Sequence, residues 1–112
     1  MSSPADGIHR EELRRYVRRV ADRWPVEHAF VGGSRVTGAA SGPEFVVVLV
    51  SGRFDGVPWL ERVHQAESLW DAAEMGARAE VHCYTPVEFE RKLAQLPLVR
   101  EAAEQGIDPM DV

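Results

Sequence analysis

The residues best suited to chemistry fall in three places. They are the hexapeptide Gly33-Ser34-Arg35-Val36-Thr37-Gly38, the carboxylate Glu44 at the mouth of the apolar run Phe45 to Val50, and Glu80 with His82 further on. A Gly-Ser pair after a strand-like segment frees backbone N–H groups to face an anion, and the serine adds a hydroxyl donor. Arg35 suits phosphate through its planar fork of donors. Phosphoryl transfer on two metal ions needs hard oxygen ligands projecting from adjacent strands into one cleft. Alternation along a strand places such ligands two residues apart. The position that shares a face with Glu44 is Val46, so Glu44 and Glu80 make a set one acid short.

The remaining chemistry-bearing residues have plainer readings beside the functional ones. His82 shares a strand face with Glu80 and could reach a phosphate or a metal; a lone strand histidine is also a common packing residue. Cys83 points the other way, as a core thiol. Trp59 and Trp70 lie in an amphipathic helix, where packing explains at least one; an exposed tryptophan would mark a partner surface. Glu61, Glu67 and Asp71 read as solvated helix-face charges. No Ser-His-Asp spacing, Walker lysine or Rossmann glycine fingerprint is present in the sequence.

These residues need a scaffold, and hydrophobic periodicity supplies one. Leu13, Tyr16, Val17, Val20 and Trp24 form one apolar stripe over Ile8 to Trp24, a helix stopped by Pro25. Val26 to Val31 reads as a short strand ended by Gly32-Gly33, with Ser34 placed to cap a helical turn. Gly38 to Pro43 is a loop. Phe45 to Val50 is apolar throughout and rich in β-branched residues, the mark of a strand covered on both faces by helices. Val57 to Met75 reads as one long helix, with Leu60, Val63, Ala66, Trp70 and Ala73 on its apolar side and Gly76 ending it. Ala77 to Tyr84 is a third strand, with Glu80, His82 and Tyr84 on one face and Val81 and Cys83 on the other. Thr85-Pro86 with Glu88 is a capping box opening a helix. Pro97 breaks or restarts it, and Leu98 to Gln105 is a last helix ending at Gly106. The order is α-β-turn-β-α-β-α-α, an α/β (α+β) layered fold on a small mixed sheet of about three or more strands.

Bulk properties narrow the class. With 112 residues the chain makes a single domain, expected over 8–112 after a disordered stretch at 1–7. A formal charge of −5 disfavours general nucleic-acid binding. Arg10, Arg14, Arg15, Arg18, Arg19 and Arg23 nevertheless crowd one segment, as a solvated helix face or a surface for a partner or polyanion. The single cysteine excludes an intramolecular disulfide and a CxxC zinc site, and with no apolar run of spanning length the expected compartment is cytoplasmic.

Taken together, Gly33 to Gly38 is similar to the Gly-Ser-x-Ala-Arg-Gly signature of the minimal nucleotidyltransferases, small members of the DNA polymerase β superfamily. Ala79-Glu80-Val81-His82-Cys83-Tyr84-Thr85-Pro86-Val87-Glu88-Phe89-Glu90 resembles the segment that carries the family's third carboxylate. Val99 to Ile107 resembles its closing helix. The resemblance spans roughly residues 10 to 107. It implies that Gly33, Ser34 and Arg35 hold a nucleoside triphosphate, and that Glu44 and Glu80 are catalytic and hold Mg²⁺. The departures are Val46 at the family's second metal-binding aspartate, Thr37 at its arginine, and Gly32 at its aromatic.

Three readings follow. The first is a catalytically impaired nucleotidyltransferase-fold module that binds nucleotide or a partner, for which the resemblance names a HEPN-type helical protein, as in toxin–antitoxin pairs. The second is an active Mg-dependent enzyme moving a nucleoside monophosphate to a hydroxyl on a small molecule, protein or RNA. The third is a structural or homo-oligomerising domain without ligand.

Overall fold

In the computed structural model, residues 10–110 are described; the expectation for Met1 to Gly7 lies outside them. Helix α1 (Arg10–Ala21) buries Leu13, Tyr16, Val17 and Val20, the stripe its sequence spacing dictates. Strands β1 (His28–Gly32), β2 (Phe45–Val50) and β3 (Ala79–Tyr84) form one sheet in the order β1-β2-β3. β1 runs antiparallel to β2, and β2 parallel to β3, so the sheet is mixed. Every residue of the central strand β2 is buried, as a run with no polar face requires.

The sheet has an apolar layer on each side. On one, Val47, Leu49, Val81 and Cys83 meet Leu13, Val17 and Val20 of α1 and Ala66 of α3 (Trp59–Ser68). On the other, Val46, Val48, Val50 and Tyr84 meet Phe89 and Leu93 of α5 (Pro86–Gln95) and Val99 and Ala102 of α6 (Pro97–Gln105). The expected capping box opens α5: the Thr85 hydroxyl accepts from the Glu88 N–H, and the Glu88 carboxylate accepts from the Thr85 N–H.

Two local expectations are corrected. The stretch 57–75 is not one helix. It breaks after α3, because Asp71 turns back to accept the Glu74 N–H and caps a separate four-residue helix, α4 (Ala72–Met75). Trp70 lies in this break and donates its indole N–H to the Ala77 carbonyl. Leu60 and Ala73, read as apolar-face residues, are exposed, whereas Arg62 is buried. Second, Ser34 is not a helix cap. It is the first residue of α2 (Ser34–Thr37), whose cap is Gly33 without a side-chain bond.

Most of the α1 arginines are used internally. Arg19 donates twice to the Leu69 carbonyl, Arg23 bonds Gln65, and Arg14 pairs with Glu11. The Arg14 pair lies within α1; Arg19, Arg23 just beyond the helix, and Tyr16, whose hydroxyl donates to the Ala66 carbonyl, fasten this segment to α3 and the turn after it. The closing helix is pinned to β1: Val31 and Ile107 exchange both backbone hydrogen bonds at 2.9 Å. A Cβ on Gly106 would collide with the carbonyl oxygens of Ala102 and Val31, so only glycine allows this approach. No described helix is long and apolar enough to cross a membrane.

Candidate functional site

The Gly-Ser turn joins β1 to α2, and its shape depends on Gly33. Its φ of 100° is a conformation that side chains disfavour, and a Cβ there would lie 2.5 Å from the Glu44 carbonyl oxygen. That close approach docks the turn on the entry to β2, and it uses the backbone donors. Ser34 N–H donates to the Pro43 carbonyl and Arg35 N–H to the Glu44 carbonyl; Val36 and Thr37 N–H both donate to Gly33. The amides that would cradle a phosphate therefore already have partners.

Beside the turn is a cavity of about 80 Å³. Ser34, Thr37 and Val46 line it from the sheet side, and Leu98, Glu101 and Ala102 of α6 line it from above. The strand register puts Gly32, Val46 and Glu80 in one row across the sheet, the row on which the metal ligands of the resemblance would stand. Val46 is 1% exposed and belongs to the apolar layer beneath α6. Gly32 belongs to the same closure: a Cβ on it would lie 3.0 Å from Ala102 Cα.

The two acids are directed elsewhere. Glu44, with its side chain 53% exposed, faces Arg35 at 3.5 Å; Arg35 also donates to the Gly76 carbonyl. Glu80 Oε2 lies 3.0 Å from His82 Nε2, and His82 Nδ1 lies 2.8 Å from the Tyr84 hydroxyl. Neither Glu44 nor Glu80 lines the cavity beside Ser34. No group of three or more His, Cys, Asp or Glu side chains that could hold a metal occurs among the described residues. The donor set thus does not fit a two-metal centre in this conformation: two carboxylates face separate partners, with valine between their strand positions.

Other groups have structural duties. Burial pushes the Cys83 thiol up to about 12, leaving it a protonated core residue. Tyr84 is also pushed up to about 12, first by burial and then by Cys83, Glu80 and Glu88. Burial works to raise Glu88, but Arg62 at 2.7 Å and the hydrogen bonds of Thr85 outweigh it and hold the carboxyl below its ordinary value. Glu101 has no counterpart among the sequence-derived candidates. Its signal was helical spacing: Leu98, Glu101 and Ala102 share one face, and Ala102 is the residue that meets Gly32.

No protein-family model matches the chain, and no curated protein matches it. Among solved structures, it is similar to a Sulfolobus solfataricus protein provisionally assigned as a nucleotidyltransferase. The TM-score is 0.61 at 12% identity, over 96% of this chain and 87% of that one. The fold is nucleotidyltransferase-like. At that identity the likeness concerns architecture alone.

Proposed function

We propose that this nucleotidyltransferase-like domain is catalytically impaired and works by binding, with a partner protein favoured over a nucleotide as its main ligand. One observation carries the reading: Val46, at the position where the resemblance requires a metal-binding aspartate, is buried under α6 in register with Glu80. The turn supports it in two ways. Its amides are engaged, and the cavity beside it holds about 80 Å³, whereas small-molecule pockets begin at roughly 300 Å³. A HEPN-type helical protein is the partner class implied by the resemblance. The intact Gly33-Ser34 turn favours the competing reading of an active enzyme with Mg²⁺ on Glu44 and Glu80.

Calorimetric titration with Mg-ATP, run beside a labelled-nucleotide transfer assay with all four nucleoside triphosphates, separates the two. The proposal expects weak or no heat of binding and no transfer. Turnover that Glu80→Ala abolishes would overturn it.

A further inference from the structure

The C-terminal end of β3 opens into a second cleft, between the first turn of α3 and the outer side of α5. Its volume is about 300 Å³, and Trp59, Tyr84, Glu88, Arg91, Lys92 and Gln95 line it. Trp59 is 40% exposed, and its ring stacks on Tyr84 at a centroid distance of 5.3 Å and an interplanar angle of 30°. Tyr84 is fixed beneath it, 2% exposed and hydrogen-bonded to His82. The tryptophan is thus a braced aromatic wall with free surface, suited to stacking a planar ring.

The charge in the cleft is unbalanced. Glu88, the carboxylate in the lining, is neutralised by Arg62 and committed to capping α5. Arg91 and Lys92 make no side-chain hydrogen bond or ion pair among the described residues. In a chain of formal charge −5, two adjacent unpartnered cations beside an exposed indole form a local positive site. Arginine matches a carboxylate or phosphate group through paired N–H donors.

We infer that this cleft binds a small planar aromatic anion, with the ring stacked on Trp59 and the carboxylate or phosphate held by Arg91 and Lys92. Tyr84 lies four residues beyond Glu80 on β3, about 13 Å at ~3.3 Å per residue. The cleft also shares no lining residue with the cavity beside the Gly-Ser turn, so it is a separate site.

The test is a ¹⁵N NMR titration that follows the three indole N–H resonances, with Trp59 assigned through Trp59→Phe. Trp70, bonded to Ala77, serves as the internal control. Benzoate and phenyl phosphate, which distinguish the two anionic groups, are expected to move the Trp59 resonance saturably. Benzamide and inorganic phosphate should bind at least about tenfold more weakly, since each lacks half of the recognition. The double variant Arg91→Ala/Lys92→Ala should weaken benzoate or phenyl phosphate by about tenfold or more, while an unshifted Trp70 resonance reports an intact fold. No saturable shift with either anion, equal binding of benzamide, or undiminished affinity in the double variant would overturn the assignment. So would Mg-ATP displacing the anion from Trp59, which would make the cleft a nucleotide pocket.

Discussion

Replacing Val46 with aspartate puts the acid of the resemblance back at its strand position and asks what the surroundings do with it. Val46 is 1% exposed against Val48, Val99 and Ala102. Its apolar burial contributes about 2 kcal/mol. The new carboxyl would sit beside a cavity of about 80 Å³ that Glu101 also lines, with Glu80 next to it on β3. Those two acids disfavour a further negative charge, so the group folds in protonated form and leaves polar atoms poorly paired, at a further cost of about 1–3 kcal/mol. Val46→Asp should therefore destabilise by about 3–5 kcal/mol. The sign of its pH dependence follows: with the folded-state value raised above the unfolded one, the unfolded chain loses its proton first. The added destabilisation is then small at low pH and grows as pH rises past about 4. Urea unfolding followed by tryptophan fluorescence, repeated from acid to neutral pH, measures both. A variant within about 0.5 kcal/mol of the wild type, and stabilised further by Mg²⁺, would refute the picture of a closed apolar site.

Three further outcomes are expected. Gly33→Ala should destabilise by about 1–3 kcal/mol in the same urea assay, because the turn's φ of 100° and its contact with the Glu44 carbonyl admit no Cβ. Glu88 is held below its ordinary value of 4.5, so its contribution is fully present above that value and is lost as pH falls through the depressed one. Acid unfolding should accordingly flatten in Glu88→Gln below about pH 4.5. Cys83, buried and with its thiol pushed up to about 12, should resist thiol reagents at pH 8 in the native protein and react fully once urea unfolds it.

Much of the scaffold was legible because local rules and tertiary structure agree. β2 forms over the residues its apolar run defines, and the Thr85–Glu88 box closes as its spacing requires. The alternation on β3 also sorts Cys83 from Tyr84 onto opposite faces. The break at Leu69 to Asp71 escaped the reading because an aspartate on a helix face and an aspartate capping a new helix look alike in sequence; the tertiary anchor of Trp70 on Ala77 decides between them. Arg62 was hidden for a similar reason. Its burial rests on partners far along the chain, the Cys83 carbonyl and Glu88, together with the Phe54 ring. At the candidate site, a valine at the position that shares a strand face with Glu44 was readable from spacing. The engagement of the turn amides and the lid formed by α6 were not, since they depend on how Ala102 meets Gly32 across seventy residues of chain.

The central claim concerns turnover, and pyrophosphate release measures it directly. The domain is incubated at stoichiometric concentration with each nucleoside triphosphate and Mg²⁺, and ³¹P NMR follows the reaction. The account predicts no pyrophosphate above the protein-free blank with any of the four. Pyrophosphate that rises in proportion to the domain and disappears in Glu80→Ala would contradict it.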